Sequence, residues 1–479
     1  MSKSLTKNYI YNLAYQILIL LMPLVTTPYI SRVLGAENIG IYSYTISITA
    51  YFISFGSLGI ALYAQREIAF NQKDKKKYST IFWEILLLRF ITMMVSFVIY
   101  YCVFINGNQY QMYYKILVLE IFGTCIDISW FFQGLEDFKK TVLRNTLVKI
   151  ASVICTFIFV REANDLYKYF IIYVLSIMIG NGTLWLYLPK VLKKVKFSEL
   201  HILRHLKPTI YLLIPQLAIQ VYTLLDRTMI GSIIVDKSEV GYYDQSQKII
   251  KMLLAIITSL GTVMLPRIAS TFANGESSKV INYMKKSFNI VFLLAFPMIF
   301  GIIVVSDSFV PIFFGDGYDK VAVIMKIISP IILFIGLSNV TGTQYLLPTK
   351  RQKEFTISVV CGAIVNFVMN MCLIWKYGAI GAAIGTILAE FIVTTIQFYF
   401  VRREFKISKV LLISKKYLIS GLLMFAVCYT MGRFINTGKI LIVVQVLVGA
   451  FIYLGSLIVL KERFVFDFMN SFKNKIKSR

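Results

Sequence analysis

Apolar residues run along this chain in stretches of about 20, separated by short polar connections, from near the first residue almost to the last. About fourteen such stretches can be drawn: 10–33, 39–63, 79–105, 112–133, 142–160, 166–188, 208–234, 247–269, 286–305, 322–347, 355–375, 379–400, 414–434 and 439–460. Each is long enough, as a helix, to cross about 30 Å of hydrocarbon. The short alternating segments of a membrane barrel are missing. The pattern therefore predicts an all-α integral membrane protein of about 14 transmembrane helices.

Composition agrees, with 57% hydrophobic and 15% charged residues. The net charge of +26 changes the picture only through its placement. Basic residues crowd alternate connections, such as Lys73–Lys77, Lys190–Lys196, Lys350–Lys353 and Arg402–Lys416, whereas the intervening ones carry Asp236, Asp307 and Asp316. That is the positive-inside pattern, and it predicts a multi-pass protein of the cytoplasmic membrane with both termini cytoplasmic. Lipid headgroups, not nucleic acid, are the expected counter-charge. The first span is too long for a signal peptide and is expected to stay. All six cysteines lie in or beside apolar spans without Cys-x-x-Cys spacing, and read as small buried hydrophobes.

One stretch occurs twice. Pro28–Gly59 and Asp226–Gly261 each hold an Arg near the end of a span, then a Gly (Gly35, Gly231), then a Gly-x-Tyr step. Gly40-Ile41-Tyr42 answers Gly241-Tyr242-Tyr243, and Ser57-Leu58-Gly59 answers Ser259-Leu260-Gly261. Six spans separate the copies, so both share one orientation and imply two pseudo-symmetric six-helix lobes related by an axis along the membrane normal. The expected division is an N-lobe at 1–188 and a cytoplasmic interlobe linker at 189–207. A C-lobe at 208–400 follows, then a helix pair with a basic cytoplasmic tail at 401–479. Phe197–Leu206 of the linker is amphipathic and fits an interfacial helix. Its His201 and His205 have metal spacing but no third ligand nearby, so no metal is expected. No phosphate-cradling Gly-x-x-x-x-Gly-Lys-Ser/Thr loop exists, so ATP is not hydrolysed by this chain and no cofactor is expected.

Charges inside spans carry the chemistry, since each central one costs about 2.5–3.5 kcal/mol if it faces lipid. Arg32, Arg89, Lys149, Arg227 and Lys251 are candidates to line a cationic cavity for a phosphate or diphosphate. Arg144, Lys248 and Lys326 lie near span ends and fit snorkelling equally well. Glu120, Asp127, Asp226 and Glu390 are candidates for a coupling ion, H+ or Na+, or for pairing with those cations. Asp244, Lys248 and Lys251 share one helical stripe, either a salt-bridged face or a ligand track. Pro23 and Pro28 in the first span and Pro215 in the seventh occupy corresponding helices and are candidate hinges of moving gates.

In Pro28-Tyr-Ile-Ser-Arg-Val-Leu-Gly35, Trp130-Phe-Phe-Gln-Gly-Leu-Glu136, Asp226-Arg-Thr-Met-Ile-Gly231 and Phe314-Gly-Asp-Gly-Tyr318 the chain resembles Wzx-type polysaccharide flippases. These belong to the multidrug/oligosaccharidyl-lipid/polysaccharide exporter superfamily. The resemblance runs over nearly the whole chain. It implies two lobes around a cationic cavity and alternating access. The implied cargo is an undecaprenyl-pyrophosphate-linked oligosaccharide for capsule, O-antigen or teichoic acid, carried without covalent chemistry. It implies further that the chain works as a monomer beside glycosyltransferases and a polysaccharide polymerase, with Arg32, Arg89 and Arg227 as candidates to hold the diphosphate. A cation-coupled multidrug exporter of the same superfamily is the first alternative, and its pocket would be lined by carboxylates. A membrane-embedded polymerase is the second, and would need large loops or a metal-binding carboxylate motif.

Overall fold

The computed structural model describes residues 2–434 and 438–467; side chains are described from residue 18 onward, apart from 20, 138–139, 190, 197, 214–219, 221–222, 409 and 411. Among the described residues the protein is all helix. The first half comprises α1 (Ser2–Ser57), α2 (Ile60–Asn71), α3 (Lys75–Tyr100), α4 (Gln111–Cys125), α5 (Ser129–Gly134), α6 (Phe138–Phe159), α7 (Leu166–Trp185), α8 (Leu188–Val191) and α9 (Leu206–Ile233). The second comprises α10 (Ser238–Ala273), α11 (Ser277–Phe314), α12 (Asp319–Ile328), α13 (Ile331–Ser338), α14 (Gln352–Tyr377), α15 (Ala379–Val401), α16 (Ile407–Phe434) and α17 (Gly438–Val459).

By length and composition, ten of the described helices can cross a bilayer, or eleven if the bent pair Asp319–Ile328 and Ile331–Leu346 is one span. The count falls short of fourteen. Leu21–Asn71 counts once, although Gly35 at φ 75° breaks α1 into two segments. In addition, α7 falls outside the count, and part of α9 lies outside the residues whose side chains are described. Gly35 is the one residue inside α1 to leave helical φ/ψ, so the helix breaks there rather than at Pro23 or Pro28. A left-handed φ suits glycine because it has no Cβ to clash. Pro215 lies among the residues whose side chains are outside the described set.

Contacts divide the chain into two units: Met1–Gly231 with Val235–Gly241, and Ser232–Ile234 with Tyr242–Arg479. Contact thus groups α9 with the first unit, whereas repeat symmetry pairs it with the helices after it. The side chains explain the grouping. Thr228 of α9 meets the Tyr51 hydroxyl of α1 at 3.2 Å, and Gln220 bonds Ser54 and the Ala50 carbonyl.

Within the first unit, α1 packs on α3, α4 and α6, and α4 and α6 pack on α7. Its apolar core joins α2, α3 and α5 through Phe82, Trp130, Phe131 and Phe132, all with almost no exposed surface. The Trp130-Phe-Phe motif is therefore a packing element, anchored where the Trp130 indole donates to the Asp127 carbonyl at 3.0 Å. Within the second unit, α14 packs on α15, while α16 and α17 pack on α11 and on each other. Cys125 and Cys428 are buried, but Cys102 and Cys372 are exposed on their helices, so not all six cysteines are core residues.

The linker differs from the expected interfacial helix. Phe197–Glu199 and Ile202–His205 are two short 3₁₀ turns. The chain is held there by Glu84 of α3, which is fully buried. Glu84 accepts from the His201 backbone N–H at 2.7 Å, contacts the His205 ring at 2.9 Å and pairs with Arg204. The His205 Nδ1 lies 2.8 Å from the Tyr63 hydroxyl. The two histidines are thus tied to a carboxylate and a phenol rather than to each other.

Candidate functional site

A cavity of about 350 Å³ opens among α1, α6 and α7 of the first unit. It arises because α6 and α7 each carry a polar stripe on an otherwise apolar helix. On α6 the stripe is Arg144, Asn145, Lys149, Ser152 and Thr156; on α7 it is Tyr169, Tyr173, Ser176 and Asn181. Residues at these offsets share one helical face. Met22, Pro23, Thr26 and Tyr42 of α1 close the wall.

Arg144 is aimed by a relay of hydrogen bonds. Its Nη1 donates to Asn181 Oδ1 at 2.7 Å, and Asn181 Nδ2 donates to the Gly123 carbonyl of α4 at 2.7 Å. The Asn181 amide is thereby fixed at both ends. Lys149, five residues along α6, is exposed to the cavity. Opposite them stands a tyrosine wall, with Tyr42 and Tyr169 ring centroids 4.6 Å apart and Tyr42 and Tyr173 5.9 Å apart. Behind that wall Glu120 of α4, only 6% exposed, accepts from the Tyr173 hydroxyl at 2.7 Å through Oε1. Among the described residues no protein group bonds its Oε2. The result is a cationic pocket with hydroxyl and amide side chains around it and a carboxylate one layer back. That donor set suits a phosphate-bearing polar group, since charged donors to phosphate oxygens form the stronger class of hydrogen bond.

Of the residues singled out from sequence, Lys149 and Pro23 line this cavity and Glu120 backs it. Arg89 lies elsewhere. It is 3% exposed on α3, donates Nη1 to the Asp127 carbonyl at 3.0 Å and has Nη2 4.0 Å from the Asp127 carboxylate. Asp127 also accepts from the Ser129 N–H at 2.9 Å, so the pair braces the break between α4 and α5. Arg32 is exposed and Pro28 half-buried on α1; on α9, Arg227 is half-buried beside Asp226, which is buried. In the second unit Lys251 is exposed on α10 and Glu390 is buried on α15. Asp244 and Lys248 pair at 2.8 Å, which makes that part of the α10 stripe a salt-bridged face. Among the described residues no group of three His, Cys, Asp or Glu side chains could hold a metal ion.

Tyr42 stood out in the sequence only within the repeat, and Tyr169, Tyr173, Ser176 and Asn181 were not singled out from it. Their signal was present as polar positions at helical spacing within span 166–188, but single polar residues in an apolar run carry little contrast beside a full charge.

Comparison with known proteins places the site in context. The model of the family described as "Polysaccharide biosynthesis protein" matches residues 5–272, and that of MatE matches residues 212–372. A protein named as an O-antigen transporter in Escherichia coli (strain K12) is 29% identical over 416 residues, which is 84% of this chain and 97% of that protein. The capsular polysaccharide biosynthesis protein CapF of Staphylococcus aureus is 23% identical over 84% of this chain and its own full length. Among solved structures, that of the lipid II flippase MurJ in an inward closed conformation superposes with a TM-score of 0.76. It covers 94% of this chain and 98% of its own at 16% identity, which is a likeness of fold.

Proposed function

The chain belongs to the polysaccharide biosynthesis protein family, and on that footing we propose how it acts as a flippase for lipid-linked oligosaccharides, a transporter that makes no covalent change to its cargo. The cargo is a glycan repeat unit on a polyprenyl diphosphate such as undecaprenyl pyrophosphate. It moves from the inner to the outer leaflet of the cytoplasmic membrane by alternating access. The alternation of basic and acidic connections supports cytoplasmic termini.

The observation that carries this reading is the presence of Arg144 and Lys149 together in one pocket of the first unit. Arg144 is pre-aimed by Asn181, so little side-chain freedom is lost when it takes a phosphate oxygen. Lys149 supplies a second positive charge on the same helix face. The tyrosine wall and the Ser, Thr and Asn side chains offer stacking surface and hydrogen bonds to sugar rings and hydroxyls. We assign the coupling ion as a proton carried by Glu120, which is buried and within hydrogen-bond reach of Tyr173 at the pocket wall. Transferases working on the inner face supply the substrate, and a polymerase consumes it outside.

A drug exporter of the same superfamily would set its carboxylate in the pocket wall to meet a cation. Here cations line the wall and the carboxylate stands behind tyrosines. The test is transport of a fluorescent polyprenyl diphosphate in vesicles carrying the full chain. Arg144→Ala and Lys149→Ala are each expected to slow transport at unchanged membrane abundance, with Arg144→Lys restoring part of the rate. Wild-type rates in both alanine variants would remove the phosphate site from this cavity.

A further inference from the structure

A second hollow, of about 360 Å³, lies between α6 and α7. Its wall presents only apolar surface, from Ala151, Cys155 and Phe159 on α6 and Ile171, Leu175 and Ile179 on α7. Phe159, Leu175 and Ile179 are 55%, 41% and 59% exposed, so this seam is open rather than part of the core. One end is marked by Lys168, which pairs with Asp165 at 2.6 Å.

The groove is not an isolated dent in an apolar surface. Val148, Ser152, Ile172 and Ser176 line both the groove and the cationic cavity, so a wall one side chain thick divides them. Two of those four are serines, small enough to let a chain cross between the helices. A polyprenyl diphosphate needs just this adjacency, because a single C–O bond joins its charged group to its hydrocarbon. Cations on one side of a thin wall and bare hydrocarbon surface on the other match that join. Ordinary acyl chains would cover any exposed apolar helix, but they have no need of Arg144 and Lys149 next door.

We propose that the α6–α7 groove binds the polyprenyl chain of the substrate while its diphosphate sits in the adjoining cavity. This rests on the flippase reading above. In the orientation proposed there, the groove runs from the bilayer middle to the outer surface, since Phe159 and Lys168 lie at the outward ends of α6 and α7. The seam is then the side door by which the product's tail meets the outer leaflet.

The test is photolabelling of the full-length protein in vesicles of phosphatidylethanolamine and phosphatidylglycerol. The probe is a polyprenyl diphosphate bearing a benzophenone on an isoprene unit near the diphosphate. Label is expected on peptides covering residues 151–159 and 171–179. It should be displaced by unlabelled polyprenyl diphosphate and not by extra phosphatidylglycerol. Leu175→Trp with Ala151→Trp should abolish it, and if that variant does not insert, mapping in the unsubstituted chain decides. Groove label displaced equally by phosphatidylglycerol means ordinary bilayer lipid and overturns the proposal. Displaceable label confined to other helices overturns the groove but leaves the flippase reading standing. No displaceable label anywhere overturns both.

Discussion

Gly40 and Gly241, matching glycines of the two repeat copies, pack backbone against backbone. A Cβ on Gly40 would lie 1.7 Å from the Lys237 carbonyl oxygen, and one on Gly241 would lie 2.1 Å from that of Ala36. Around them the Lys237 ammonium donates to the Gly231 carbonyl at 2.7 Å and sits 5.4 Å from the Tyr44 ring centroid. Gly231 itself leaves no room for a Cβ beside that ring. The repeat is therefore more than a trace of duplication, because its copies recognise each other through small residues that let backbones approach.

The contact predicts a specific failure. Gly40→Ala forces the α1 backbone away from Lys237, at a cost of about 1–3 kcal/mol. That shifts the balance between the packed and separated segments by about tenfold or more. Lys237 should then become more reactive toward a membrane-impermeant amine reagent, with slower transport at normal abundance. Unchanged reactivity of Lys237 would show that the glycines do not hold α1 against this segment.

Arg89 makes a contrasting case. Its guanidinium braces Asp127 at the α4–α5 break and lies outside the cationic cavity. Removing a charged donor from a mostly buried hydrogen bond costs about 1.5–3 kcal/mol. Arg89→Ala should therefore lower the melting temperature and the amount in the membrane, while the surviving protein keeps its affinity for a polyprenyl diphosphate. A selective loss of that affinity, with stability intact, would return Arg89 to the binding site.

That contrast shows what was legible beforehand. The fold class and the order of helices follow from apolar periodicity, because a lipid-facing helix leaves a long uninterrupted signal. The partner of a buried charge does not, since an Arg facing water and an Arg facing a neighbouring carboxylate occupy the same kind of position in a string. Lys149 reached the cavity because α6 walls it, and Arg89 did not because α3 contributes no residue to it. The irregular backbone at Asp127 and the π-helical turn Asn339–Leu346 were equally hidden. Both interrupt spans that read as continuous, and tertiary partners hold them. Asn181 was missed because an amide in an apolar run looks like tolerance until Arg144 is seen on it.

The docked linker should respond to acid. Burial holds His205 below the ordinary imidazole range, against the pull of Glu84 on α3 and of Glu67 on α2, with Arg204 pushing the same way as burial. A released linker has an imidazole of about 6.5, so it takes up a proton more readily than the docked one. Docking is then at full strength above about pH 6.5 and is lost as pH falls from there through the depressed docked value. A spin label at Ser198→Cys, with the native cysteines replaced, should gain mobility on acidification to about pH 5. His205→Gln should flatten that response. Equal mobility across the range in the parent protein would mean that His205 does not set the docking.

The proposed role of Glu120 in coupling predicts how transport is driven. Among the described residues its side chain takes a hydrogen bond from Tyr173, whose ring also stands in the wall of the cationic cavity. A proton gained or lost at Glu120 is thus felt at the cavity through one side chain. Glu120→Gln keeps an acceptor for the Tyr173 hydroxyl and nearly the same volume, but cannot exchange a proton in this range. In vesicles, a pH gradient should accelerate polyprenyl diphosphate movement in the parent protein and leave the Gln variant unaffected. Exchange without a gradient should persist in that variant, since the cations are untouched. Tyr173→Phe, which removes the link but leaves the carboxyl, should weaken the gradient's effect and keep its sign. If the Gln variant still responds fully to the gradient, coupling resides elsewhere, and Glu390, the buried carboxylate on α15, becomes the group to substitute next.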